Sequence, residues 1–481
     1  MNILNCVFIS LDYFKHQSKE NHNKIKKIQK IKIKIGVKMN QVKVCFSKEV
    51  GKIKPLNAVN NGPIVSVRSI GTENIFTELN IPFARLHDAS FCSAYGGEFT
   101  VDVHRIFRNF DADENLEENY IFEATDKYLK NIQKVGTKIF YRLGASIEHG
   151  VKFGTFPPKD FLKWAKICEH IIRHYNEKWA NGYEMGIEYW EIWNEPDCRN
   201  ADGSNPCWQG TEEQFIELYS VSAKYLKQTF PNLKIGGPAF ASVWSEAFVN
   251  KFLKSISENQ IPLDFFSYHW YGKKVSDFAE TICKAQTMLE EYGLGKTEKI
   301  LNEWNYVDGW LGDDFLNSIL AIKGQKGASF VCAAICEAQK LDLDMLMYYD
   351  ARPCAFCGLF ETDTYQKLNT FNAFSYFNQL LKRGTAVETQ VVGQGVYACS
   401  AKSNESASLM FTYFPEDNKE SAEINLTFTD LPSNFTRAKV FIANSNQEGS
   451  LVSEIEINNK ESSINVNLNK YDIGYVCLCE K

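Results

Sequence analysis

Two glutamates stand at matching places in the chain. Glu195 follows the apolar run Ile187 to Asn194 (IEYWEIWN), and Glu303 lies inside a second run, Lys299 to Trp304 (KILNEW). Each has an asparagine before it, Asn194 and Asn302, with Trp190, Trp193 and Trp304 close by. Two carboxyl groups facing each other across a cleft are what glycoside hydrolysis requires. One holds a proton for the leaving oxygen and the other stays ionised to attack the anomeric carbon. Burial among tryptophans and tyrosines, next to a negative partner, raises the acid's pKa, while hydrogen bonds from Arg, Tyr or His keep the nucleophile charged. A lone glutamate at a strand end is more often a surface residue; the pairing and the shared context are what change the weighting.

Other side chains fall in phase with this pair. Arg85 and His87 alternate along Ile81 to His87 (IPFARLH), so both face one side of a strand and are placed to orient Glu303 and a substrate hydroxyl. A structural ion pair from Arg85 to a buried carboxylate is the competing role, and the two overlap. His269 and Tyr271 share a face in the same way. Trp304 and Trp310 offer flat surfaces on which the CH groups of a sugar ring pack, although one of them serves equally as wall packing. Asp350 ends a strand and either contacts substrate or caps the following loop. His170 and His174 stand four apart in a helical stretch that belongs outside the cleft, and the HExxH order is absent, so packing is the better reading.

From about Pro55 to Lys382 short β-branched or aromatic runs alternate with longer segments of helical period, the pattern of repeated βα units. Strands are expected near Leu56–Val59 and at Ile81–His87, Lys138–Leu143, Ile187–Asn194, Leu233–Pro238, Asp264–Trp270, Lys299–Trp304 and Asp344–Asp350. Helices are expected at Pro158–Trp179, Thr211–Phe230, Val243–Ser257, Val275–Tyr292 and Phe315–Leu341. Eight such strands fit an α/β fold of the (β/α)8 barrel type, whose strand ends gather acids and bases at one mouth. A doubly wound sheet is disfavoured because no GxGxxG follows any strand. After Leu381 period-two runs begin, at Gly395–Ala401, Ser408–Phe414, Glu423–Phe428, Ala438–Ile442, Ile464–Leu468 and Gly474–Leu478, giving a smaller C-terminal antiparallel β-sandwich. The strand at Val42–Phe46 precedes the barrel and is expected to pair with this C-terminal domain, which is then discontinuous in sequence. The domains are therefore an N-terminal extension 1–39, a strand segment 40–54, a barrel 55–385 and a β domain 386–481.

Composition narrows the partners. Of 481 residues 44% are hydrophobic and 23% charged, which excludes a disordered chain. No apolar run reaches the ~18 residues of a membrane span. Residues 1–39 hold nine lysines and no arginine against Asp12 and Glu20, a net +7 within the chain's −6, so the remainder carries −13. So acidic a body repels phosphate backbones, and neither nucleic acid nor membrane is an expected partner. The lysine- and isoleucine-rich stretch Asn21–Lys38 reads as peripheral, and Met39 is the expected true start, a point that intact mass from the native host decides. Without a basic segment before an unbroken apolar core, a secretory signal is not expected, and a cytoplasmic location with free thiols follows for the 14 cysteines. Cys354 and Cys357, Cys477 and Cys479, and Cys332 and Cys336 are the closest pairs, none with a second pair at zinc-site spacing, so no metal is expected. Oligomeric state is left open, with a homo-oligomer allowed.

Trp193-Asn194-Glu195-Pro196 resembles the acid/base motif of the large retaining glycosidase clan built on this barrel, and Glu303 in LNEWN resembles that clan's nucleophile strand. RLHD at Arg85–Asp88, EIWNEPD at Glu191–Asp197, KIGGPA at Lys234–Ala239 and SYHWYG at Ser267–Gly272 follow the order and spacing of glycoside hydrolase family 39, a resemblance that covers roughly Lys54 to Glu388. It implies hydrolysis with retention through a covalent glycosyl-enzyme, most closely like a β-xylosidase, with no metal and no organic cofactor. Glu195 is then the general acid/base and Glu303 the nucleophile. Asn194 is implied as donor to the sugar 2-hydroxyl, and His269 and Tyr271 fall where the family places a His and an aromatic residue in its substrate subsite. The chain departs from the family's xylosidases in its third strand, where Arg142 or Glu148 takes the neighbourhood of an acidic residue, and at Asn302, where Thr is usual. Transglycosylation, or a carbohydrate-binding barrel without turnover, are the competing functions; His104 and His149 fall in loops above the barrel with no assigned role.

Overall fold

The structure is a computed structural model that describes residues 40–65, 71–87, 101–147, 154–417, 419–445, 447–458 and 461–480. The extension 1–39 and the positions Asp88, Glu148 and His149 lie outside the described residues.

Eight parallel strands close into a barrel in sequence order: β2 (Ala58–Asn60), β3 (Phe83–Arg85), β4 (Lys138–Leu143), β5 (Tyr189–Ile192), β6 (Lys234–Phe240), β7 (Phe265–Gly272), β8 (Glu298–Tyr306) and β9 (Met345–Tyr348). The first of these pairs with the last, Val59 opposite Tyr348. The intervening helices begin where the sequence supplies caps. Asp160 accepts the Lys163 amide at 2.9 Å at the head of Phe161–Asn176, and Thr211 and Gln214 form a reciprocal box at the head of Glu212–Thr229. The single helix expected over Phe315–Leu341 is instead two, Gly312–Lys323 and Gln325–Ala338, bent by 75°. The break falls at Gly324, whose φ of −110° and ψ of −173° leave the helical region, so the i→i−4 ladder stops there although the apolar period continues. Among the described residues no single helix is long and apolar enough to cross a membrane.

The remaining strands make one nine-stranded sheet in the order β15-β14-β17-β12-β11-β10-β1-β13-β16. Here β1 is Asn40–Lys52, β10 Thr385–Val392, β11 Val396–Lys402, β12 Ser406–Tyr413, β13 Ser421–Thr429, β14 Arg437–Asn444, β15 Gln447–Glu456, β16 Glu461–Asn469 and β17 Ile473–Cys479. Strand β1 lies between β10, to which it is antiparallel, and β13, to which it is parallel. The β domain is thus discontinuous in sequence and not wholly antiparallel. Its inward side chains, among them Val42, Val44, Leu409, Phe411, Leu426, Phe428, Val440 and Val476, form one core, so the sheet curls over on itself to make the expected smaller β domain beside the barrel. Two strands, β10 and β15, escaped the sequence reading: in TAVETQVV and QEGSLVSEIE the polar and apolar residues do not alternate cleanly.

Barrel and sheet are joined through helices Gln325–Ala338 and Thr370–Arg383. Ser329 and Thr412 share a hydrogen bond of 2.7 Å, and Tyr376 stacks on Tyr475 with centroids 4.9 Å apart.

Candidate active site

The barrel interior is built in layers, as inward side chains from neighbouring strands meet at each level. The floor is apolar: Ala58, Phe140, Tyr189, Phe265, Ile300, Met345 and Met347. Two residues further along the strands the interior turns polar and stays buried, with Asn60, Arg85, Arg142, Glu191, Ser267 and Asn302. Above this second layer open His87, Asn194, Glu195, His269, Tyr271 and Glu303. Strict alternation would place Asn302 and Glu303 on opposite faces, but the pairing of β7 with β8 slips, so that Tyr268 faces Leu301 while His269 faces Glu303. The extra residue turns both Asn302 and Glu303 inward and sends Trp304 out. Trp304 is therefore not a sugar platform. It is fully buried among Phe278, Phe330 and Tyr348, in the layer between barrel and helices.

Arg85 organises the centre. Its Nε donates to Glu191 Oε2 at 2.7 Å, one terminal nitrogen to Asn60 Oδ1 at 3.1 Å and to Glu303 Oε2 at 3.2 Å, and the other to Asn194 Oδ1 at 2.6 Å. Burial by itself would lower the guanidinium's pKa, but the charges of Glu191 and Glu303 outweigh it, so Arg85 is held above its ordinary value. Glu191 also accepts from Ser267 Oγ at 2.6 Å and Asn302 Nδ2 at 2.5 Å. Asn302 is thus part of this carboxylate's cradle. Removing Arg85 strands a buried negative charge at Glu191, a situation that costs about 3–5 kcal/mol when one partner of a buried pair is lost. Arg85→Met is expected to lower the unfolding free energy by that order in denaturant titrations; a loss below about 1 kcal/mol would contradict the arrangement.

Glu303 is gripped from two sides. Tyr271 donates its hydroxyl to Oε1 at 2.5 Å, opposite the contact from Arg85, and His87 Nε2 lies 3.8 Å from Oε2. Burial, and the charge of Glu303 after it, push the Tyr271 phenol well above its ordinary value, so it remains a donor.

Glu195 faces it from the end of β5. One oxygen of each carboxylate and a ring nitrogen of His269 lie within 4.8 Å of one another. His269 Nδ1 is 2.7 Å from Glu195 Oε1 and 3.6 Å from Glu303 Oε2. The backbone that presents Glu195 is unusual, with Trp193 at φ 78° and Glu195 at φ 47°, conformations rare for residues with side chains. Bonds from the Trp193 amide to Leu143 O at 2.7 Å and from the Glu195 amide to Ala239 O at 2.8 Å hold it there. The following loop is tied down in turn. Asn205 donates to Pro196 O at 2.7 Å and accepts from the amides of Cys207 and Trp208 at 2.8 Å, while Asp197 accepts the Ala241 amide at 2.7 Å. That loop sets the Cys207 thiol 3.7 Å from Glu195 Oε2. Burial drives the Asp197 carboxyl up to about 6, the Ser245 and Ala241 hydrogen bonds offsetting part of the rise.

His269 is fully buried, and burial drives its pKa from 6.5 down to about 3. The ring is neutral at ordinary pH, and its tautomer decides whether Nδ1 donates to Glu195 or accepts from it. Because the folded-state value lies below the unfolded one, this ring's contribution to stability is present above pH 6.5 and lost as pH falls toward 3. Unfolding free energy is expected to drop over that window by up to about 5 kcal/mol more in the wild type than in His269→Gln. Identical slopes in denaturant titrations would count against it.

The other candidates divide. Asn194 uses its oxygen on Arg85, and its Nδ2 is buried with no hydrogen-bond partner among the described residues, a donor directed for a ligand. Trp310 is half exposed and sits edge-on to Tyr271, centroids 5.1 Å apart, at the rim. Asp350 is fully buried and fastened by Asn61 Nδ2 at 3.0 Å, the Arg352 amide at 2.8 Å and Arg352 Nε at 3.0 Å, so it caps its loop and offers no contact to a substrate. Arg142 pairs at 2.8 Å with Asp102, which neutralises the basic residue of the third barrel strand. His174 is a satisfied core histidine, bonded to Asp126 and Trp179 O and stacked on Phe122. Glu191, Asn60, Ser267 and Cys207 were missed by the sequence reading. Glu191 was legible as a charge inside an apolar strand in phase with Trp193, whereas Cys207 reaches Glu195 only through the loop's folding.

A parallel barrel with two carboxylates facing each other across its mouth defines the class of carboxylate-pair (β/α)8 barrels. Within it, residues 81–306 match the model of Glycosyl hydrolases family 39, the family that the motifs resemble. A β-xylosidase from Caldicellulosiruptor saccharolyticus is 25% identical over 275 residues, 54% of this chain and 51% of that one. A β-xylosidase from Geobacillus stearothermophilus is 28% identical over 179 residues, 35% of this chain and 34% of that one. The chain thus spans about half and about a third of the length of these relatives. A glucosidase structure from Croceicoccus marinus superimposes with a TM-score of 0.73 at 19% identity, covering 92% of this chain and 99% of that chain; the likeness is one of fold.

Proposed function

We propose that the protein is a retaining glycoside hydrolase that cleaves a terminal glycosidic bond, with β-xylosidase-like specificity. Glu303 attacks the anomeric carbon while Glu195 protonates the departing oxygen; Glu195 then takes a proton from the water that releases the sugar from Glu303. The observation that carries this reading is the approach of the two carboxylates to within 4.8 Å, near the ~5 to 5.5 Å of retaining enzymes and short of the ~6.5 to 9.5 Å that leaves room for a water in inverting ones. Arg85 and Tyr271 both donate to Glu303 and orient it for attack, and the Asn194 Nδ2 stands ready for a sugar hydroxyl whose bond strengthens as the transition state forms. The xylosidase specificity draws on the two curated relatives.

The test is hydrolysis of aryl β-xyloside, β-glucoside, β-galactoside, α-L-arabinoside and α-L-iduronide, with the first-formed anomer read by NMR. Fastest turnover of the β-xyloside, releasing β-xylose first, is expected. Initial release of the α anomer would overturn retention, turnover of another sugar alone would overturn the specificity, and silence with retained binding would favour a sugar-binding barrel. Transfer of the sugar to added alcohol in preference to water would make the protein a transglycosylase.

A further inference from the structure

The loop after β5 brings two sulfurs to the outer oxygen of Glu195. Cys207 Sγ lies 3.7 Å from Glu195 Oε2, and Cys198 Sγ completes a group in which all three ligand atoms lie within 4.8 Å of one another. Eight residues lie between the two cysteines in the chain, so the grouping belongs to the fold and not to a short motif.

We propose that Glu195, Cys198 and Cys207 form a binding site for a thiophilic divalent cation of the zinc class, and that its occupation switches off the acid/base. A tetrahedral zinc ion with Zn–S of ~2.3 Å and Zn–O of ~2.0 Å sets its ligand atoms about 3.5 to 3.8 Å apart, the spacing already present between Cys207 and Glu195. Two thiolates and one carboxylate supply three ligands and leave the fourth position to water. Both thiols are free, Cys198 and Glu195 are partly exposed so that an ion has a way in, and Cys207 is buried behind them.

The frame is preorganised. Asn205 fixes the Cys207 amide, Trp193 Nε1 donates to Cys207 O at 2.9 Å, and the Cys198 amide closes a turn on Glu195 O at 3.1 Å. A second grouping, Glu195 with His269 and Glu303, is less suited to a cation, because Arg85 already sits 3.2 Å from Glu303 with a full positive charge. On binding, the two thiols release their protons to solvent and Glu195 becomes a ligand; it then has no proton to give a leaving group. This last consequence, unlike the binding itself, rests on the glycosidase reading.

The experiment is titration of the reduced full-length chain with Co(II), read by thiolate-to-cobalt charge-transfer absorption in the near ultraviolet, followed by displacement with zinc. One cobalt per chain is expected, with the band lost in Cys198→Ser and in Cys207→Ser. Aryl β-xyloside turnover is expected to fall at least about tenfold with stoichiometric zinc, to return with chelator, and to lose its zinc sensitivity in Cys198→Ser. No band, or a band unchanged in Cys198→Ser, overturns the site, as does recovery of the native protein with residues 198 and 207 joined in a disulfide. A band that depends on both cysteines in a protein that turns over no glycoside supports the site and removes the glycosidase reading. Cys198 is the decisive position, since its side chain is not part of the core and its replacement spares folding.

Discussion

Glu303→Gln is expected to reduce turnover of an aryl β-xyloside by at least about ten-thousandfold while the sugar still binds. The amide has nearly the carboxylate's shape, so Tyr271 keeps an acceptor, but it carries no charge and cannot form the ester to the anomeric carbon. Arg85 remains compensated by Glu191 at 2.7 Å, which keeps the barrel folded and makes the loss one of chemistry. Initial rates, with xylose binding by calorimetry and melting by circular dichroism alongside, check the three parts separately. Residual turnover within about tenfold of the wild type would mean that Glu303 is not the nucleophile.

Glu195→Gln separates the two steps of the reaction. Proton donation matters in proportion to the basicity of the leaving group, and general acid catalysis contributes about a hundred- to ten-thousandfold. Alkyl or sugar leaving groups are expected to lose about a thousandfold or more, while a dinitrophenyl xyloside, whose phenolate leaves without help, forms the glycosyl-enzyme at nearly the original rate. That intermediate then accumulates, since no base activates water, and azide, which needs no base, is expected to speed its release. Equal losses across leaving groups, or no effect of azide, would remove Glu195 from the acid/base role. The thiol of Cys207 and the ring of His269 both touch this carboxylate, so the same pair of substrates on variants at those positions would show whether they tune its proton.

Much of the barrel is visible in the sequence because parallel strands buried on both faces read as apolar runs and their helices as period-3.6 stripes. The two glutamates were visible for a different reason, being charges at the ends of such runs. What could not be read is what depends on pairing. The slip between β7 and β8 is a property of two strands together, and without it Trp304 and Glu303 exchange faces. The partition of Arg85 among Glu191, Glu303, Asn60 and Asn194 likewise needs four elements in place at once. Asp350 was legible as a strand-terminal acid, but Arg352, two residues on, captures it, a local contact that outcompetes any role at the mouth. The approach of Cys198 and Cys207 to Glu195 depends on a loop folded around the side chain of Asn205, and cysteine spacing carries no trace of that.

The position of β1 between β10 and β13 makes the barrel, topologically, an insertion within the β domain. Gln41 meets both Val392 and Asn425, so the pairings that complete the sheet span most of the chain. During synthesis β1 leaves the ribosome first and has no hydrogen-bonding neighbour until everything from Lys52 to Thr385 has been made. The barrel, with its more local contacts, is free to form meanwhile, and assembly of the sheet becomes a late event of high contact order. Loss of β1 would leave β10 and β13 as two open edges, the kind of surface along which chains add to one another. A strand remote from the chemistry thereby becomes the clasp that closes the sheet around a finished barrel.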